Sequence, residues 1–191
     1  MLFIFDMGGV VTTTSQKDRL CQKIGISKQS FVDLSKDLYE QLNKGEITVK
    51  EFWSAFNLRS DKQGIKPVET DYFKLFFQPE LNCETIEIIR HLRKKHRVVC
   101  GTNTIDPYYD IHIERGDYSY FDSTYPSNKI GKAKPDSDFF ELIMEAENYT
   151  PQDTFFTDDL TVNIQAASSL GINAVCFTDA KSLLKQWKKF F

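Results

Sequence analysis

Four short apolar runs, each ended by a polar or turn residue and set apart by segments of helical period, constrain this chain more than any other feature. The first, Met1 to Phe5, stops at Asp6 and is followed by Gly8-Gly9; the others are Arg97 to Gly101, Thr154 to Thr157 and Asn173 to Phe177. Continuous apolarity over so few residues is the mark of a strand buried on both faces. Between the runs, Glu84 to Lys95 places Ile86, Ile89 and Leu92 on one side. Asp138 to Glu147 does the same with Phe139, Leu142, Ile143 and Ala146, and Thr161 to Leu170 is a further helix closed by Gly171. Strands alternating with helices imply a doubly wound, Rossmann-like parallel α/β sheet, covered on both faces and joined by right-handed crossovers.

One stretch breaks the alternation. From Ser15 to Phe77 there are helical patterns, among them Phe31 to Leu42, and Thr48 to Leu58 with Thr48 as N-cap and Glu51 positioned to close a capping box. Lys62 to Pro67 reads as a polar connector. This predicts a helical module, residues 15–77, inserted into a core made of residues 1–14 and 78–191. The basic segment Lys181 to Phe191 reads as a terminal amphipathic helix. At 191 residues the chain suits one core plus a small insert, and 16 phenylalanines supply much of the apolar interior.

A formal net charge of -3 provides no basic field for nucleic acid or anionic lipid. No apolar stretch approaches the roughly 20 residues of a membrane helix, and no basic segment precedes the apolar start. The expectation is a cytoplasmic protein whose partner is a small molecule rather than nucleic acid or membrane; no oligomeric state is specified. Cys21, Cys83, Cys100 and Cys176 are widely spaced and read as reduced core thiols.

In an open parallel sheet, ligands bind beyond the carboxyl ends of the strands. That rule selects Asp6, Thr102-Asn103, Lys134 and Asp158-Asp159. Singly, each has a plain structural reading: an Asx-turn, a solvated loop, a surface lysine. Together they place three carboxylates, a hydroxyl and a lysine at one sheet edge. Converging carboxylates repel unless a cation neutralises them. Magnesium, which favours oxygen ligands and commonly takes one or two carboxylates plus a substrate phosphate, is the expected ion.

The same residues resemble the haloacid dehalogenase-like hydrolase family over nearly the whole chain. Phe5-Asp6-Met7-Gly8-Gly9-Val10 looks like the first motif and Cys100-Gly101-Thr102-Asn103 like the second. Gly131-Lys132-Ala133-Lys134-Pro135-Asp136 looks like the third, and Phe156-Thr157-Asp158-Asp159 with Asn163, Ala166-Ala167 and Leu170-Gly171 like the fourth. The resemblance implies a phosphatase of small phosphate monoesters in which Asp6 is the nucleophile and Lys134 the catalytic cation. It implies that Thr102, Asn103 and Lys134 bind the phosphoryl group. Magnesium would be held by Asp6, the Gly8 carbonyl and Asp158, with Asp159 orienting a ligand or water. Residues 15–77 become a cap that closes over the site. The opening and Leu42-Asn43-Lys44-Gly45-Glu46-Ile47 most resemble small bacterial phosphatases acting on sugar phosphates such as glucose 1-phosphate.

One position departs from the pattern. The family's phosphatases usually carry an acid/base aspartate two residues after the nucleophile, where this chain has Gly8. Removing a positioned acid costs about 10²–10⁴ in rate. A good leaving group, Thr12 or Thr13, Glu46, or a metal-bound water are the alternatives. Two other functions follow from the same gap: a dehalogenase, which needs no leaving-group acid, and a catalytically weak phosphate-binding protein.

Overall fold

A computed structural model describes residues 1–14 and 17–188. Five parallel strands, β1 (Leu2–Phe5), β2 (Arg97–Thr102), β3 (Ser123–Pro126), β4 (Thr154–Asp158) and β5 (Asn173–Cys176), form one sheet in the order β3-β2-β1-β4-β5. The opening strand is therefore central. The chain runs from β1 to β2 on one side, whereas β4 lies on the other side of β1, so strand order reverses between β1 and β4. Four of the strands are the apolar runs of the sequence, but β5 lies at the sheet edge with exposed and half-buried residues and is not a strand buried on both faces. The edge strand β3, Ser-Thr-Tyr-Pro, was not expected, because it contains no apolar run to mark it.

The period-2 alternation of β1 divides the core. Phe3 and Phe5 face one layer with α5 (Cys83–Leu92) and α10 (Ala180–Gln186), where Ile86, Ile89, Leu183 and Trp187 are buried. Leu2 and Ile4 face the other, against Phe139, Phe140 and Ile143 of α8 (Ser137–Glu147) and Ala167 of α9 (Thr161–Ser169). The C-terminal helix thus packs on the sheet through Leu183 and Trp187; Lys189 to Phe191 lie outside the described residues. Cys21 and Cys100 are buried, but Cys83, in the first turn of α5, and Cys176, on the edge strand, are exposed. Two of the four thiols expected in the core are therefore on the surface. No described helix is long and apolar enough to cross a membrane.

Residues 17–77 contain helices and no strand among the described residues: α1 (Lys17–Ile24), α2 (Lys28–Asn43), α3 (Val49–Asp61) and α4 (Tyr72–Phe76). Ser15 and Gln16, the start of the expected insert, are outside the described residues. The capping box of Thr48 and Glu51 is formed. The short helix α4 was not foreseen; it is started by Asp71, whose carboxylate accepts from the Phe73 and Lys74 amides. These helices share an apolar cluster, in which Trp53 stacks on Phe73 with centroids 4.7 Å apart. That cluster reaches across to Ile105 and Tyr108 of the segment containing α6 (Asp106–Arg115), also unforeseen. The chain enters and leaves the helical layer on paired backbone: the Thr13 amide donates to the Glu80 carbonyl at 2.9 Å and the Asn82 amide to the Val11 carbonyl at 2.8 Å.

The turn after α2 rests on the loop before α8. Lys44 Nζ lies 2.8 Å from Asp136, and Gly45, at φ 67°, approaches the Asn128 carbonyl so closely that a Cβ would overlap it. The ion pair is half exposed and contributes little. The close approach needs glycine. Gly45→Ala should destabilise the protein by about 1–2 kcal/mol through left-handed backbone strain alone, and by more through the overlap; urea unfolding measures it. An unchanged midpoint would show that this turn does not rest on Asn128.

Candidate active site

The switch point between β1 and β4 receives the groups that the sequence singled out. Asp6 follows β1 directly, Thr102 ends β2 and Asp158 ends β4, so parallel strands deliver all three to one edge. Lys134, in the loop between α7 (Ser127–Ile130) and α8, reaches in from the side. Its Nζ donates to Asp6 Oδ1 at 2.7 Å, to Asp158 Oδ2 at 2.6 Å and to the Gly101 carbonyl at 2.9 Å. All three donors of the ammonium are thereby used.

Charge explains the shifts. Burial pushes the Asp6 carboxyl up to about 7, against the pull of Lys134 and with the repulsion of Asp158. Burial alone would push Lys134 down, but two carboxylates outweigh it and hold its pKa above the ordinary value. One ammonium balances only one of these carboxylates. Asp159 adds another negative charge; burial first, then Asp158, raises its pKa as well. Oxygens of Asp6, Asp158 and Asp159 lie within 4.8 Å of one another. Three acidic oxygen donors facing one lysine leave an excess of two negative charges, which suits a hard divalent cation.

Asn163, quoted in the fourth motif without a role, holds this arrangement in place. Its Nδ2 donates to both oxygens of Asp158 at 3.0 Å, and the Leu160 amide adds a bond of 2.8 Å. Only the spacing of five residues, one turn into α9, could have suggested it. Gly9, at φ 83°, is where Asp159 lies against the backbone, and a Cβ there would overlap the carboxylate.

Asn103, expected to bind substrate, has its amide engaged elsewhere. Nδ2 donates to the Lys134 carbonyl at 2.7 Å and Oδ1 accepts from the Lys134 amide at 2.8 Å, a two-point clamp on the backbone that carries the lysine. Thr102 is buried, and its hydroxyl makes only a 3.5 Å contact with the Asn103 carbonyl. These groups open into a cavity of about 510 Å³, which Gly8, Thr13, Tyr39, Phe77, Tyr108 and His112 also line. The aromatic and histidine wall had no sequence signal, because it comes from helices remote in the chain. Glu46 is exposed, outside that wall. Thr12 is buried, with its hydroxyl on the Met7 carbonyl at 3.3 Å. Of the side chains considered as substitutes for the missing acid, Thr13 is the one that lines the cavity, and its hydroxyl accepts from the Glu80 amide at 3.0 Å.

Sheet order, switch point and acidic cluster define a doubly wound hydrolase with a site for a divalent cation. The chain belongs to the haloacid dehalogenase-like hydrolase family, which it matches over residues 1–171. It is similar to a D-ribitol-5-phosphate phosphatase of Bacteroides thetaiotaomicron, at 26% identity over 183 residues, covering 88% of this chain and 87% of that protein. A sesquiterpene phosphatase of Aspergillus oryzae is 25% identical over 189 residues, covering 93% of this chain and 89% of that protein. Among solved structures, a family enzyme from Bacteroides thetaiotaomicron in complex with magnesium and inorganic phosphate superposes with a TM-score of 0.74. It is 25% identical, with 93% of each chain covered. The protein is a phosphoric monoester hydrolase.

The raised pKa of Asp6 has a consequence for stability. A carboxyl titrating near 7 when folded and at 3.8 when unfolded takes up its proton preferentially in the folded state between those values. Stability therefore falls as pH rises through that window, by on the order of a few kcal/mol in all. In metal-free protein, Asp6→Asn should remove this slope and be more stable than the parent above pH 7. Denaturant midpoints across pH 4 to 8 check it; parallel slopes for the two proteins would contradict the assignment.

Proposed function

We propose that this protein is a magnesium-dependent phosphatase of sugar or polyol phosphates that works through a phosphorylated Asp6. The observation that carries the reading is the convergence of Asp6, Asp158 and Asp159 within 4.8 Å at the switch point of the sheet, with the buried Lys134 bridging Asp6 and Asp158. The similarity to a D-ribitol-5-phosphate phosphatase supports the substrate class, and the sesquiterpene phosphatase supports phosphatase chemistry alone. A dehalogenase has no use for so much converging negative charge, and a silent binder has no need to keep a nucleophile and its lysine.

Asp6, Asp158 and the Gly8 carbonyl would hold magnesium, with Asp159 behind them. The ion neutralises the carboxylates and the phosphate oxygens, so that one anion can approach another. Lys134 holds the Asp6 carboxylate in place and its charge stabilises the phosphoryl oxygens as they develop. The Thr102 hydroxyl donates to one of them. Asn103 acts through Lys134 by clamping its backbone. Asp6 Oδ attacks phosphorus, the bond to the leaving oxygen breaks, and that oxygen takes a proton from solvent water. A second water then attacks the phosphorus of the aspartyl-phosphate and gives up a proton to solvent, and the bond between Asp6 Oδ and phosphorus breaks to release inorganic phosphate. Helices α1–α4 act as a cap that excludes water during transfer, with residues 15–77 as its extent. The setting is the cytoplasm, where the exposed Cys83 and Cys176 stay reduced.

Phosphate release from a panel of sugar phosphates and an aryl phosphate tests the reading. The parent should require magnesium, and Asp6→Asn should retain less than about 1% of the rate; more than a few per cent would remove Asp6 as nucleophile. Asn163→Ala should weaken magnesium activation by about 10- to 100-fold, because Asp158 loses the amide that orients it. An unchanged magnesium titration would show that Asn163 has only a structural part.

Gly8 sets the remaining chemistry. A Cβ at Gly8 meets nothing within 4 Å, so an aspartate there has room. Without an acid at this position the rate should depend steeply on the leaving group. Gly8→Asp should then accelerate alkyl phosphates more than aryl ones, by up to about 10². Equal acceleration of both would show that another group already protonates the leaving oxygen.

A further inference from the structure

Resting on the phosphatase reading, we infer that His112, held by Asp117, is a specificity-determining residue in the cavity wall, where it accepts a hydrogen bond from a hydroxyl of the substrate's alcohol. The cavity of about 510 Å³ is far larger than a phosphate requires, so most of it serves the organic part of the ester. Asp6, Thr102 and Lys134 mark its phosphate end. His112 lies on α6, six residues beyond Asp106, and lines the same cavity as those groups.

The chemistry of His112 follows from its partners. Its Nδ1 is 2.8 Å from Asp117 Oδ2, and the same oxygen accepts from Arg115 Nε at 2.8 Å. A carboxylate that is already accepting from a guanidinium has no proton to offer, so Nδ1 carries the hydrogen. Burial draws the imidazole below its ordinary pKa against the pull of Asp117, which favours the neutral ring. In that tautomer Nε2, the ring nitrogen not bonded to Asp117, is an acceptor only. It suits a neutral hydroxyl and rejects a second phosphate or a carboxylate. The ring is also fixed sideways: Phe77 meets it edge-on at 5.2 Å and Tyr118 packs at 5.4 Å. Phe77 in turn stacks on Tyr108 with centroids 4.1 Å apart, so an apolar wall flanks the acceptor and can cover the carbon chain of a polyol.

A purely structural histidine would satisfy the buried Asp117 and do nothing else. The two roles separate in a chain-length series of glycerol, tetritol, pentitol and hexitol phosphates, with an aryl phosphate lacking hydroxyls as reference. His112→Phe should lower kcat/KM for the longer polyol phosphates by about 10-fold, mainly through KM, and lower it much less for the aryl phosphate. His112→Gln, which keeps an acceptor on a similar reach, should recover most of the loss. Equal loss on every substrate, or none on any, would overturn the inference. A parent protein that releases phosphate from no ester would instead overturn the phosphatase reading. Calorimetric binding of the same esters would then decide on His112, which must affect the longer ones most.

Discussion

The buried ammonium of Lys134, shared between Asp6 and Asp158 and anchored on the Gly101 carbonyl, ties together β1, β2, β4 and the loop before α8. Two like charges placed at adjacent strand ends would force that edge apart, and a single cation between them converts repulsion into cross-linking. The arrangement is incomplete by design of its charges: three carboxylates face one lysine, and burial leaves Asp6 protonating near neutrality. Stability is thus lower than it would be with apolar residues at these positions, a common cost of a functional site.

Much of the surrounding structure serves to hold these few atoms still. Asn103 clamps the Lys134 backbone at two points, Asn163 grips both oxygens of Asp158, and Gly9 leaves the space in which Asp159 sits. Each removes a rotation that would otherwise blur the positions of charges in a site with little water to screen them.

The helical layer is coupled to the core by contacts of different character. Paired backbone at Thr13 and Glu80 and at Val11 and Asn82 fixes where the chain enters and leaves. The aromatic cluster continues into Tyr108 of α6, and the turn at Gly45 rests on Asn128. Apolar continuity through Tyr108 and Phe77 puts the cavity wall on the same elements that join layer to core.

Four of the strands, the parallel α/β class and the polar residues that converge at the strand ends were legible in the sequence because each depends on local pattern: an apolar run for a strand, a polar residue at its end, Thr48 three before Glu51. The edge strand β3 was not legible, since Ser-Thr-Tyr-Pro contains no apolar run, and neither was the exposure of β5 or of Cys83 and Cys176, which follows from their places at a sheet edge and a helix start. Asp6, Lys134 and Asp158 announced themselves by position, but the sharing of one ammonium between two carboxylates, the turning of Asn103 onto the Lys134 backbone and the hold of Asn163 on Asp158 did not. The sequence by itself determined the class of fold and the chemical types gathered at the strand ends, because those rest on periodicity and residue type within a short window. The tertiary structure alone decided who pairs with whom and what lines the cavity: His112 meets Asp117, Phe77 and Tyr118 only because α6 and the helical layer pack together, and contacts between segments distant in sequence leave no local pattern to read.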